Sequence, residues 1–200
     1  MKDALLTVLR DVNTTRGQFR QVTQQLSLIL AAEASQHVDR TSVKVKTPLA
    51  ETTGEKLSDE VVIIPILRAG LAMLPSFLTL FPESSVGFFG MRRDEHTKKP
   101  NLYYKNLPKI SPKQNIIIID PMIATGGSGL LALNELRAQG AEESKIIYVG
   151  IVAAPEGLNK IKEMCPHIHV IVGRVDERLN KDAFIVPGIG DFGDRYFGTE

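Results

Sequence analysis

The chain reads as an α/β protein with a mostly parallel sheet flanked by helices. Apolar, β-branched runs at 61–67, 116–120 and 145–154 alternate with helix-like segments, which is the rhythm of βαβ units. Isoleucine fills 116–119, as expected of a strand buried on both faces. That run ends in Asp120, and the turn Ala124-Thr125-Gly126-Gly127-Ser128 follows and opens a helix. A strand ending in an acid, then a glycine-rich turn, then a helix is how such a sheet presents a phosphate site.

From the N-terminus, 4–11 has helical apolar spacing, and a stronger helix starts near Thr15. Phe19, Val22, Leu26, Ile29 and Leu30 fall on one face. Thr15 with Gln18 forms the pattern of a capping box. Val43 and Val45 alternate with lysines as on a half-exposed edge strand, and 47–59 reads as a hairpin-like excursion. Segment 61–67 is a strand, 69–81 a helix with a kink or early stop at Pro75, and 86–91 a strand. Helix 127–139 closes at Gly140. Segment 145–154 is a buried strand, 155–164 a helix with proline in its first turn, and 169–175 the last clear strand. Two stretches break the rhythm. Residues 92–112 read as a long charged loop, and the glycine-rich tail 176–200 reads as a hood.

Composition sets the class. The chain has 200 residues, 43% of them hydrophobic, and a formal net charge of +1. It therefore reads as one domain spanning 1–200, with N-terminal helices in 1–40. Its near-neutral charge gives no footprint for nucleic acid or an anionic membrane. No segment reaches the roughly 20 apolar residues of a membrane span, and 1–4 lacks the hydrophobic region of a signal peptide. Cys165 is the single cysteine, which fits a reducing compartment. The expected setting is cytoplasmic.

Candidate site residues lie at the predicted strand ends. The segment Asp120, Pro121, Met122, Ile123, Ala124, Thr125, Gly126, Gly127 and Ser128 offers backbone amides to a phosphate and a carboxylate to sugar hydroxyls. It is neither a P-loop nor a dinucleotide turn. Arg68, in Pro65-Ile66-Leu67-Arg68-Ala69-Gly70, sits at the same sheet edge, and its forked guanidinium suits a diphosphate. Arg92 and Arg93 open the charged loop, which also carries Tyr103 and Tyr104. Glycines around Asp191 allow close approach to a small planar ligand, or merely pack the tail; physics alone leaves both open. Cys165, His167 and His169 tempt a metal assignment, but Pro166 and the lack of a fourth ligand favour a turn. His37 and His96 have no partner that sequence can name.

Together these segments resemble the uracil phosphoribosyltransferases, within the type I phosphoribosyltransferases, over about 9–199. The specific pieces are PILRAGLAM, DPMIATGGS, VAAPEGL and IVPGIGDFGDRYFGT. The resemblance implies the type I phosphoribosyltransferase fold, with a flexible loop at 92–112 and a base-binding hood at 176–200. It implies conversion of uracil and phosphoribosyl diphosphate to UMP and diphosphate, with Mg²⁺. It places the sugar phosphate on 120–128, the diphosphate at Arg68 and Arg93, and the metal near Asp191, through water. It places uracil on backbone groups at Ile185, Gly190, Asp191 and Phe192. Arg68, Arg93, Asp120 and Asp191 are the expected catalytic residues. The partners it implies are these small molecules and a homo-oligomer, dimer or tetramer, with room for a nucleotide activator.

The chain departs from the family at Phe192, where alanine is usual, at His96, where an acid is common, and in lacking an N-terminal His-Pro stretch. An inward Phe192 would shrink the base pocket; an outward one would leave it intact. The alternatives are transfer to another base, a non-catalytic regulator that binds a nucleotide or the sugar diphosphate, and an RNA-binding regulator on the same fold.

Overall fold

The computed structural model describes residues 1–58, 60–93 and 100–199, and of Arg93 only the backbone. The expectations for the Arg93 side chain and for His96 lie outside the described residues.

Helices α1 (Lys2–Arg10) and α2 (Arg16–Ala34) come first. The capping box at Thr15 and Gln18 forms with both its halves, a device whose N-cap alone is worth about 1 kcal/mol. Phe19, Leu26 and Leu30 bury one face of α2. Strands β1 (Arg40–Lys46) and β2 (Glu51–Leu57) pair as an antiparallel hairpin apart from the main sheet, so the hairpin-like excursion contains a full strand.

Strand β3 (Val61–Leu67) leads into a 3₁₀ turn, Ala69–Ala72, and then α3 (Leu74–Leu80). Segment 69–81 is thus two pieces, not one kinked helix. Pro75 sits in the first turn of α3, where its missing N–H removes no helical bond. The strand expected at 86–91 is also divided, into β4 (Ser85–Val86) and β5 (Phe88–Arg93), both paired with β3.

The largest correction falls in 92–112. Strand β6 (Pro100–Asn106) returns antiparallel to β5, with Arg93 opposite Pro100 and Phe88 opposite Asn106. Much of the expected loop is a two-stranded arm. Leu102, Tyr103 and Tyr104 suit a pleated, half-buried surface, and Leu102 packs against the core; the charged neighbours masked that pattern.

The remaining elements follow the expected alternation. They are β7 (Asn115–Ile119), a short β8 (Met122–Ile123), α4 (Gly127–Ala138), β9 (Ile146–Ala153), α5 (Pro155–Met164) and β10 (His169–Val175). The tail contributes β11 (Arg178–Leu179), β12 (Ile185–Val186) and α6 (Phe192–Phe197). Among the described residues the main sheet runs β10–β9–β7–β3–β5–β6, with β4 beside β3 and β8 beside β9. All its pairings are parallel except β5 with β6.

Side-chain alternation divides the core between the two faces of the sheet. Ile63, Ile117, Ile119 and Val149 pack with Phe19, Leu30 and Phe77 from α2 and α3. Val62, Ile64, Ile116, Ile118 and Tyr148 pack with Leu133, Leu136 and Ile161 from α4 and α5. Among the described residues no helix is long and apolar enough to cross a membrane, and no three acid, histidine or cysteine side chains could share a metal ion. Cys165 is buried and His169 stacks on His37 at 4.2 Å between ring centroids, which gives His37 the partner that its sequence could not name.

Ile117 is fully buried in the middle of β7. Ile117→Ala is expected to lower the unfolding free energy by about 2–5 kcal/mol, read from the midpoint of a urea titration at unchanged slope. A loss below about 1 kcal/mol would contradict the packing described here.

Candidate functional site

The parallel strands end at one edge, and the site is built there. After β7, Asp120 donates its N–H to Val149 O at 3.0 Å. The carbonyl of Pro121 accepts from both Ile151 and Val152, each at 3.0 Å. Met122 and Ile123 then run beside β9. This ladder fixes the loop that follows.

Gly126 turns the chain into α4 with φ of 74°. A Cβ there would lie 2.8 Å from Gly157 O, and a Cβ on Gly157 would lie 2.2 Å from Ala124 O. Only glycine at both positions lets the first turn of α5 seat directly against the loop. This explains the glycine of the VAAPEGL segment. Its signal in the sequence is a glycine placed inside a helix, where it costs about 1 kcal/mol relative to alanine.

Gly126 gives α4 no side-chain cap. Thr125 Oγ1 accepts a long bond, 3.4 Å, from the Gly127 N–H. The first turn of α4, with Gly127 and Ser128, therefore keeps N–H donors and the positive end of the helix dipole for an anion. The arm formed by β5 and β6 reaches this point. A Cβ on Gly127 would lie 3.2 Å from the Pro100 ring, and Lys105 holds Glu135 of α4 at 2.8 Å.

Asp120 stands at the sheet edge as expected, but its residue is only 8% exposed, so most of the carboxyl faces protein. Its Oδ2 accepts from the Tyr148 hydroxyl at 3.2 Å. Burial pushes the carboxyl up to about 6, while hydrogen bonds from the Met122 backbone and from Tyr148 pull it down. The Tyr148 hydroxyl is pushed up by burial and by the neighbouring acid. Tyr148 was not singled out in the sequence, because an aromatic residue in an apolar strand reads as core.

Arg68 follows β3 at the same edge. Its guanidinium is 3.3 Å from Asp194 Oδ1 and 3.5 Å from Thr199 Oγ1. More than half of the Arg68 side chain is exposed, and an exposed pair of this length is weak enough for a polyanion to displace.

A cleft of about 450 Å³ joins these parts: Arg68 and Ala69, Met122 and Ala124, and the tail. The tail supplies Phe184, Ile185, Gly190, Asp191, Phe192 and Gly193, and also two residues that the sequence did not mark, Asp182 and Ala183. Asp191 caps α6, its Oδ1 accepting from the Asp194 N–H at 3.0 Å. The ring of Phe192 is buried against Phe19 and Tyr196, at 5.3 and 5.9 Å between centroids. Of the two orientations open in the sequence, the outward one is therefore adopted. The cleft thus brings Arg68, Met122 and Ala124 of the loop, and the tail together, while Asp120 and residues 125–128 lie outside its lining.

A family model for uracil phosphoribosyltransferase matches residues 2–199. The chain is 42% identical over 196 residues to a uracil phosphoribosyltransferase of Limosilactobacillus fermentum, covering 98% of this chain and 93% of that protein. It is 44% identical over 194 residues to that of Campylobacter concisus, covering 97% and 92%. Among solved structures, the AQ2163 protein from Aquifex aeolicus superposes with a TM-score of 0.90 at 34% identity, covering 100% of this chain and 95% of that one. A hypoxanthine-guanine phosphoribosyltransferase from Bacillus anthracis shares the fold alone, with a TM-score of 0.53 at 14% identity over 80% of each chain. With a family model matched over 2–199 and relatives at this identity over nearly the whole chain, the chain belongs to the uracil phosphoribosyltransferase family.

Proposed function

We propose that this chain transfers the phosphoribosyl group of phosphoribosyl diphosphate to uracil, giving UMP and diphosphate. The observation that carries the reading is a cleft in which Arg68, Met122 and Ala124 of the loop after β7, and the tail converge. The bond from the anomeric carbon to the diphosphate oxygen breaks, and its electron pair leaves with the diphosphate. Uracil N1 bonds to the anomeric carbon and loses its proton. The transition state resembles the oxocarbenium ion of glycoside hydrolysis, so the protein needs no nucleophile. Its work is to position the partners and to balance charge.

The loop 120–128 would hold the 5′-phosphate with its amides and the first turn of α4. Arg68 would release Asp194 and take the diphosphate. The arm bearing Arg93 would close over the loop and limit water. Ile185, Gly190, Asp191 and Phe192 would present backbone groups to the carbonyl–NH–carbonyl edge of uracil, which cytosine does not match. The buried Phe192 ring leaves that role intact.

Mg²⁺ fits the residues present. No protein-only cage exists among the described residues, and Mg²⁺ typically keeps water and substrate oxygens with one or two carboxylates. Asp191, in the cleft, would hold it through water. When bound, the ion would neutralise charge on the leaving diphosphate. A single domain, a homo-oligomeric state, a nucleotide activator and a cytoplasmic setting complete the proposal.

Incubation with phosphoribosyl diphosphate, Mg²⁺ and uracil, cytosine, orotate or hypoxanthine should release diphosphate with uracil alone; turnover with another base only, or with none, overturns the assignment. Asp191→Asn keeps a capping residue but removes the charge. It should lower kcat/KM by about 100-fold at a nearly unchanged Tm, and Arg68→Ala should do likewise through the diphosphate. Full activity in either variant would remove that residue from the mechanism.

Asp120 gives a prediction of opposite sign for stability. Its carboxyl is raised from 3.8 to about 6 in the folded protein. Between those values the native state holds a proton that the unfolded chain has released. This group's contribution to stability therefore falls as pH rises through that window and stays low above it. Asp120→Asn should be inactive yet more stable than the parent near neutral pH, on the order of 1–3 kcal/mol, with the gain vanishing towards pH ~4. Thermal melts across that range check this, and a pH-independent difference would sink it.

A further inference from the structure

We propose that Arg10 of α1 and Asp176, which follows β10, are positioning residues that clamp the uracil-reading turn from behind; the inference rests on the proposed uracil site. Arg10 Nη1 donates to Gly188 O at 2.7 Å and to Asp176 Oδ2 at 3.0 Å, and Nη2 donates to Asp176 Oδ1. The same Asp176 Oδ2 accepts from the Gly188 N–H at 2.9 Å. Both backbone polar groups of one residue are thus held by one part-buried ion pair. The Asp176 side chain is 2% exposed, so its oxygens take their hydrogen bonds from Arg10 and the Gly188 N–H.

Gly188 is the bend of the turn. Its φ is 64°, and a Cβ there would lie 2.2 Å from Ile185 O. Ile185 lines the cleft on one side of the bend, and Gly190 with Asp191 lines it on the other. Arg195 extends the hold. It donates to Ile189 O at 2.9 Å, to Asp11 O at 2.7 Å and to Leu9 O, with its guanidinium 4.5 Å over the Phe19 ring. The turn and the end of α1 are therefore tied as one unit.

Backbone recognition of a base requires the backbone to be preset. A side-chain reader can be fixed by its own rotamer, but a turn that reads with N–H and C=O groups must be held by others. Arg10 and Asp176 bond the turn at Gly188, between its cleft-lining positions, without lining that cleft themselves. Instead they line a separate cleft of about 560 Å³, beside Asp3, Thr7, Arg174 and Pro187. Loss of either partner should loosen uracil binding and leave the phosphate loop and Arg68 unchanged.

The test is steady-state kinetics with uracil and phosphoribosyl diphosphate varied separately in the full chain. Arg10→Ala and Asp176→Asn should each raise the KM for uracil by about 10- to 100-fold, as for loss of charge-assisted bonds. The KM for phosphoribosyl diphosphate should change less than about twofold. The double variant should be no worse than the worse single one. Guanidinium ion, admitted through the 560 Å³ cleft, should restore part of the uracil affinity of Arg10→Ala. Arg10→Lys, which keeps charge without the fork, should fall between and serves if the other variants fail to fold. Lys2→Ala breaks the 2.8 Å pair of α1 with Glu33 without touching the turn and should leave both KM values unchanged. Equal rises in both KM values, an unchanged uracil KM in Arg10→Lys and Asp176→Asn, or a rise in Lys2→Ala as large as in Arg10→Ala would overturn the clamp. An unmodified chain inactive with uracil would instead overturn the proposed function on which it rests.

Discussion

The double-sided burial of β3, β7 and β9 is the constraint on which the rest depends. Each strand is apolar along almost its whole length, and side chains alternate into the α2–α3 layer and the α4–α5 layer. Such a sheet can end only where the chain turns polar, and the parallel pairing brings those ends to one edge. Arg68, Asp120 and the start of α5 lie along one sheet edge for this reason, although they are far apart in sequence. Their alignment follows from the register Pro65–Ile119 and Ile119–Val149.

At that edge, stability gives way to function. Glycines at 126 and 157 let two post-strand segments touch through backbone, at the cost of a left-handed turn and a weakened helix. Asp120 lies largely buried with the Tyr148 hydroxyl as its side-chain partner among the described residues, and its ionised form is disfavoured there. A neutral core residue would pack more favourably. The uncapped start of α4 is a third departure from what would stabilise the fold alone.

The tail solves a different problem. It has no long element of its own and little place in the main sheet. It is anchored by Phe192 against Phe19, and by Arg10, Asp176 and Arg195, which join the two ends of the chain. The N-terminal helix is therefore tied to the tail as well as being a cover for one sheet face.

The sequence by itself determined the parallel core strands of the sheet, the glycine turn into α4 and the family. Those features rest on local chemistry: apolar runs set strands, Gly126 and Gly140 punctuate, and Thr15 with Gln18 starts a helix. Strand β6 is not legible in the sequence because its pairing depends on the neighbour β5 more than on composition. Tertiary structure alone decided the direction of the Phe192 ring, the burial of Asp120 under Tyr148, the stacking of His37 on His169, and the hold of Arg10 on Gly188. The last links residues 178 positions apart. No periodicity or spacing encodes such a contact, because it exists only once the sheet has brought the two ends of the chain together.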